Sequence, residues 1–179
     1  NIALSGRSNV VARLKALGEN EGTVVLEDVD RGNLGSARIS HGGTAKGYQV
    51  AIDTGDNDLA DLLDDDDRID LLKMDAEGFE PPVIRGMAGL LRNHQPIVVF
   101  ESADAAAFER IYAELSALGY SHLYSIGSTA SPRRWLRFLS RAIHGYRSSL
   151  ALIDSAPNDF ASMIVAVPSR FEASVTALR

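Results

Sequence analysis

Residues 69–80, IDLLKMDAEGFE, contain the pattern that decides the fold. The stretch begins with a short apolar run typical of a strand buried on both faces, formed by Ile69, Leu71, Leu72 and Met74. Polar side chains crowd the end of this strand: Lys73, Asp75, Glu77 and Glu80. Gly78 then interrupts the strand, and a helix is predicted to begin at Pro81 and Pro82, where missing backbone donors cost little. In an open parallel sheet, ligands bind beyond the C-terminal ends of the strands, so we expect these carboxylates to meet a ligand.

On the C-terminal side of this stretch, strand and helix patterns alternate, which predicts an α/β sheet. Apolar residues at helical spacing predict a helix that packs on the sheet: Val83, Ile84, Met87, Leu90 and Leu91. Residues 96–101, PIVVFE, form the next apolar strand, which also ends in a carboxylate, Glu101. A helix is predicted to begin at Asp104 and to end at Gly119. Two further strands at 120–126 and 160–167 and a terminal helix at 168–179 complete this half.

The front third of the chain is predicted to be β-rich. Alternating patterns and turn residues indicate four short strands, at residues 9–17, 23–29, 36–40 and 48–53. Asp56 is expected to cap a short helix that runs to Leu63. The four consecutive acids at 64–67 are interpreted as a solvated linker.

Composition limits the classes of protein that the chain can be. With 179 residues, 45% hydrophobic and 23% charged, residues 1–179 are expected to form one globular domain. A net charge of -6 argues against a nucleic-acid binder. The absence of Cys excludes disulfides and Cys-ligated metals. No apolar run approaches the ~18 residues of a membrane span, and no signal peptide opens the chain, so we expect a cytoplasmic location.

Residues 131–157 differ in character from the rest and are interpreted as an insertion. Within them, residues 131–146 predict a basic amphipathic helix without acids, and its cations are Arg133, Arg134, Arg137 and Arg141. Its apolar face could pack on its own domain. It could also be a lid that brings arginines to an anionic substrate, or make weak contact with an anionic membrane surface through residues 133–147. These three interpretations remain open.

At this point the residues carry a family resemblance. Residues 73–80, KMDAEGFE, followed by residues 84–86, IRG, and residues 96–101, PIVVFE, resemble the K-x-D-x-E-G-x-E…L-x-G…E signature of FkbM-type methyltransferases. The opening resembles the same family at NIAL (1–4), NV (9–10), AL (16–17), Gly22 and NLGS (33–36). The resemblance covers most of residues 1–101 and is weak beyond them.

The resemblance implies a Rossmann-like, class I methyltransferase fold that uses S-adenosylmethionine. Its seven-stranded sheet has the order 3-2-1-4-5-7-6, with helices on both faces. It also implies methyl transfer to oxygen, often to a sugar hydroxyl of a glycan, which makes glycan modification the expected role. On this basis Asp75 is the first choice for the general base. Glu77 lies beside it, Glu101 lies across the neighbouring strand end, and Lys73 points into the same region or pairs with one of these acids.

The cofactor site implied by the resemblance is only partly present. The glycine-rich turn after the first strand and the acid that ends the second have no counterpart in these residues. Only the turn at Ala16, Leu17 and Gly18, beside the adenine edge, is assigned. By resemblance the chain begins after the second strand and is N-terminally truncated. We therefore expect an upstream segment or a partner chain to fill the sheet between residues 9–17 and 69–75 and so cover edges that would otherwise promote aggregation.

Several alternatives stay open beside this interpretation. The acids facing Lys73 could form a structural ion-pair network, and Glu80 could simply favour a helix N-terminus. Three carboxylates could also hold a divalent cation. The protein could be a non-enzymatic Rossmann-like module without cofactor binding. A nucleotide-dependent oxidoreductase is disfavoured because the chain has no G-x-G-x-x-G.

Overall fold

The computed structural model describes residues 6–27, 37–40, 47–102, 104–128, 148–153, 155 and 162–171. Two predictions from sequence lie largely outside these residues. They are the basic helix at 131–146, with its membrane contact at 133–147, and most of the terminal helix at 168–179.

The N-terminal part forms a four-stranded sheet. Its strands are β1 (Ala16–Leu17), β2 (Gly22–Glu27), β3 (Arg38–Ile39) and β4 (Tyr48–Asp53). The strand order is β1-β4-β2-β3, in which β1 and β4 are parallel and the other pairs are antiparallel. This confirms the β-rich front of the chain.

The C-terminal part forms a second sheet with four helices in the described residues. Its strands are β5 (Leu71–Met74), β6 (Ile97–Ser102), β7 (His122–Ser128), β8 (Ser148–Ile153) and β9 (Ser162–Val167). The helices are α1 (Gly55–Asp58), which precedes β5, α2 (Glu80–Gly86), α3 (Ala88–His94) and α4 (Ala105–Ala117). A 3-10 turn at Ser169–Phe171 follows β9. The order is β5-β6-β9-β7-β8, with β5 and β6 parallel and every other pair antiparallel. The described residues therefore form a mixed α/β protein with two sheets. Strand β8 was missed, because residues 148–153 had been placed inside the 131–157 insertion.

One face of the second sheet carries the main core. Phe100 of β6 and Ile164 of β9 pack with Ile84 of α2 and with Phe108 and Leu115 of α4, and all five side chains are essentially buried. The predicted ends of α4 are confirmed: the Asp104 carboxylate accepts from the Ala107 N–H at 2.7 Å, and Gly119 has φ +91°. The apolar face predicted between Val83 and Leu91 also packs here, but its helix is split in two at Met87.

Asp56 acts on a different helix from the one predicted. Thr54, not Asp56, caps α1, accepting from the Asn57 N–H at 3.2 Å, and α1 ends at Asp58 instead of reaching Leu63. The Asp56 carboxylate accepts instead from the N–H groups of Gly89 and Leu90, both at 2.9 Å. It thus caps the start of α3, which explains why a second helix begins after Met87.

The strand predicted at residues 9–17 is wrong for most of its length, because only Ala16–Leu17 pairs with another strand. Leu14 is 96% exposed. The charged side chains of this segment face α1: Lys15 Nζ lies 2.8 Å and Arg13 Nε 3.8 Å from the Asp58 carboxylate. The alternation of side-chain types in residues 9–15 is typical of a strand, but no strand in the described part of the chain pairs with these residues.

Strand β5 is not buried on both faces, contrary to the sequence prediction. Leu71 is 63% exposed, Lys73 is exposed and only Met74 is fully buried. Within the described part of the chain, β6 is the single strand that pairs with β5, which leaves β5 at the edge of the sheet. None of the helices formed by the described residues is long and apolar enough to cross a membrane.

Candidate functional site

A tight turn follows β5 and carries one of the predicted site residues, Glu77. Asp75 precedes the turn, and the Phe79 N–H closes it by donating to the Ala76 carbonyl at 3.0 Å. Its two central residues both have positive φ, +50° at Glu77 and +95° at Gly78. Gly78 adopts this conformation freely, whereas at Glu77 the left-handed region costs about 1–2 kcal/mol. The surrounding structure must therefore hold the turn in place.

The buried carboxylate of Glu80 provides one such restraint. Glu80 is the first residue of α2 and is only 4% exposed. Its Oε1 accepts from the Ala76 N–H at 2.9 Å. The acid therefore bonds backward to the turn as well as lying at the start of a helix.

Lys73 and Asp75 form an ion pair at the end of β5, with Nζ and Oδ2 2.9 Å apart. The hydrogen bond that Lys73 donates to Asp75 raises the pKa of Lys73 above its usual 10.5, and the charge of Glu101 acts in the same direction. On the alkaline side, the contribution of this pair is therefore retained at neutral pH and is lost as pH rises through the raised pKa of Lys73. Both side chains are about half exposed, 49% and 51%, so the pair is screened by solvent and stabilises the fold little.

A cavity of about 270 Å³ lies between the N-terminal sheet and β5. Ala16 and Leu17 of β1 line one side, and Lys73 and Asp75 line the other. Most of the remaining wall is apolar and includes Phe79. Residues predicted separately for the cofactor and for the reacting hydroxyl thus meet at one cavity, although more than fifty positions separate them in sequence.

The other predicted site residues lie near this cavity but do not line it. Gly18 is buried, and its N–H donates to the Asp53 carbonyl at 2.9 Å. Glu77 is exposed on the turn. Glu101 is half-buried on β6, close enough for its charge to act on Lys73. The roles assigned to these three residues stay predictions.

Sequence reasoning missed part of the cavity wall. The β2–β3 hairpin contributes Leu26, Arg38 and Ile39. No local signal could have found them, because their position depends on how the two sheets pack. Phe79 had a signal, since it is the apolar residue inside the K-x-D-x-E-G-x-E pattern, between Gly78 and Glu80.

Within the described ranges, no group of three or more His, Cys, Asp or Glu side chains is arranged to hold a metal ion. Asp75, Glu77 and Glu101 all belong to those ranges. The alternative of a divalent cation held by these three carboxylates therefore has no support in the geometry.

The fold and the site together define a mixed α/β protein with an ionic group at the C-terminal end of a strand, beside an apolar cavity. Ligands bind at this position in α/β sheets. Residues 2–122 match the family model of the methyltransferase FkbM domain. Because the match covers more than half of the 179 residues, the chain belongs to the FkbM methyltransferase family. No curated protein matches the chain significantly. The same is true of solved structures.

Proposed function

We propose that this protein is an S-adenosylmethionine-dependent O-methyltransferase that acts on a hydroxyl group, with a sugar hydroxyl as the preferred class of acceptor. FkbM methyltransferases generally depend on S-adenosylmethionine. The observation that carries the proposal is the shared cavity, which is lined both by Ala16 and Leu17 and by Lys73 and Asp75. A cofactor held at one side and an acceptor activated at the other would meet there.

The cavity fits part of the cofactor. Its apolar wall, which includes Leu17 and Phe79, suits the flat adenine ring. The 179 residues contain no G-x-G turn for the methionine end, so that end has no assigned partner. When bound, S-adenosylmethionine supplies a methyl group on a positively charged sulfur. Ala16 and Leu17 are the residues that would contact its adenine.

Asp75 is the residue proposed to remove the acceptor proton. Its carboxylate lines the cavity and is half exposed, so a hydroxyl can reach it. Lys73 fixes the orientation of this carboxylate through the 2.9 Å ion pair. Because this exposed pair adds little stability, its place at the cavity supports a functional role over the structural ion-pair network.

Binding of S-adenosylmethionine tests the proposal directly. We expect calorimetric titration to detect binding to the protein, and Leu17→Gln to raise the dissociation constant by about tenfold, which corresponds to ~1.4 kcal/mol of lost apolar contact. Leu14→Gln is the matched control, because Leu14 is 96% exposed three residues earlier and should bind as the unchanged protein does. Failure of binding both by these 179 residues and by a longer form that includes the expected upstream segment would refute the proposal and favour the non-enzymatic module.

We also propose a Rossmann-like sheet for this protein. The order β5-β6-β9-β7, with β9 antiparallel to both neighbours, agrees with the 4-5-7-6 part of the order that the family resemblance implies. Leu71, which is 63% exposed on the edge strand β5, supports a further strand there, from an upstream segment or a partner chain.

Hydrogen exchange tests this further strand. A strand paired with the outer edge of β5 should protect the β5 amides that point away from β6 as strongly as those that point toward it. The amides of β9, which pairs on both sides, are the reference for full protection. Rapid exchange confined to the outward β5 amides would show that β5 is a free edge.

A further inference from the structure

Both backbone groups of Ala76, in the turn between Asp75 and Glu80, are bonded to residues that follow it. Its carbonyl accepts from the Phe79 N–H at 3.0 Å, and its N–H donates to Glu80 Oε1 at 2.9 Å. The residue between Asp75 and Glu77 is therefore fixed from both sides. A shift of the Ala76 backbone relative to Phe79 and Glu80 requires one of these bonds to break.

The burial of Glu80 makes its bond to the turn more than a helix-start effect. Glu80 is 4% exposed, and a buried carboxylate is costly unless it is hydrogen-bonded. The next two residues, Pro81 and Pro82, have no N–H to offer, and α2 has no side-chain cap hydrogen bond at Phe79. The N–H that Glu80 bonds belongs to Ala76, which lies before the helix.

The conformation of the turn supplies the reason for such a restraint. Glu77 has φ +50° although it is not glycine. A non-glycine residue persists in this region only when its surroundings hold it, and such strain concentrates at functional sites. The buried Glu80 carboxylate is the side chain that anchors the segment in which this strain is stored.

We propose that Glu80 is a positioning residue for methyl transfer: its hydrogen bond to the Ala76 N–H holds the turn that follows Asp75 and so keeps Asp75 at the cavity. The effect on catalysis rests on the proposed function, whereas the hydrogen bond itself does not. This role goes beyond the helix-dipole role that the sequence suggested for Glu80. In this role Glu80 acts on the turn and does not contact the substrate.

Two substitutions separate the hydrogen bond from the charge. Glu80→Gln keeps an acceptor oxygen at the same reach and removes the charge, whereas Glu80→Asp keeps the charge and is one methylene too short to reach Ala76. We expect Glu80→Asp to speed hydrogen exchange at the Ala76 amide and to lower kcat, each by about tenfold or more, because small displacements of catalytic groups are costly. Glu80→Gln should stay within about threefold of the unchanged protein in both measurements. The KM for S-adenosylmethionine should change little in either variant.

Glu109→Asp, on the exposed side of α4, is the control for shortening a glutamate. Tyr120→Phe is the control for lost stability, because it removes the buried hydrogen bond that Tyr120 Oη donates to the Pro96 carbonyl at 2.9 Å, before the start of β6 and so at the opposite end of that strand from Glu101. It should lower the unfolding temperature while leaving kcat unchanged. A larger loss of kcat in Glu80→Gln than in Glu80→Asp would overturn the proposal, because charge and not the bond would then matter. Unchanged Ala76 exchange in Glu80→Asp would overturn it as well, even if the protein transferred no methyl group at all.

Discussion

Replacement of Asp75 by asparagine is expected to lower kcat for methyl transfer by about 10²- to 10⁴-fold, the range that general acid–base catalysis contributes. Asparagine keeps the shape of the side chain but cannot take up the hydroxyl proton. It also loses the ionic partner of Lys73, 2.9 Å away. Asp75 lies at the cavity and the substitution does not touch its apolar wall, so the KM for S-adenosylmethionine should stay within about threefold. Production of S-adenosylhomocysteine with methyl glycosides as acceptors measures both constants.

Glu77→Gln and Glu109→Gln provide the comparison for this experiment. Glu77 is exposed on the neighbouring turn and does not line the cavity, so its effect should be smaller than that of Asp75. Glu109 is an exposed carboxylate on α4, and its replacement should leave kcat unaltered. If Asp75→Asn transferred methyl groups at the original rate, Asp75 would not be the base, and the Lys73 pair would be only a surface contact.

Replacement of Gly86 by alanine is expected to destabilise the protein by about 3 kcal/mol, at the upper end of overpacking costs, because the clash is with backbone. A Cβ at Gly86 would lie 1.8 Å from the Gly18 carbonyl oxygen. The end of α2 would have to move away from the segment after β1. The Arg85–Glu19 ion pair, with Nε and Oε2 2.9 Å apart, spans this contact and would be disturbed. Urea unfolding monitored by circular dichroism measures the loss.

Whether Gly86→Ala destabilises or stabilises the protein is informative, because alanine is favoured over glycine inside a helix by about 1 kcal/mol and would stabilise α2 if there were no clash. A stabilised Gly86→Ala variant would mean that α2 and the Gly18 segment are not in contact. Gly22→Ala is the control, because its Cβ would meet Ile52 at an ordinary 3.9 Å. Leu17 adjoins Gly18 and lines the cavity, so Gly86→Ala should also weaken binding of S-adenosylmethionine, whereas Gly22→Ala should not.

Features that depend on neighbouring residues were predictable from the sequence. The Asp104 cap and the Gly119 stop of α4 follow from short-range backbone hydrogen bonding and from the freedom of glycine at positive φ, and both were confirmed. The alternation of strand and helix patterns after residue 69 also depends on residues that are close in sequence, and it predicted the mixed α/β architecture. The family was also determined at this level, because its signature at 73–80 is a continuous stretch, and the match over residues 2–122 confirmed it.

Predictions failed where a partner distant in sequence decides the outcome. Residues 9–15 alternate like a strand, yet no described strand pairs with them, and β5 is apolar, yet it forms a sheet edge. Asp56 resembles a cap for its own helix but bonds to Gly89 and Leu90. In each case the residue pattern indicates which secondary structure or cap a segment can form, and tertiary packing determines which segment it contacts.

The sequence by itself determined the family, the α/β alternation and the acidic end of β5, because each depends on residues that are adjacent in the sequence. Only the tertiary structure decided that Leu17 and Asp75 share a cavity and that Glu80 bonds backward to Ala76. The shared cavity depends on the packing of α2 against the segment after β1, through the close approach of Gly86 to Gly18. Distances between segments that touch only after folding are not encoded in any local pattern.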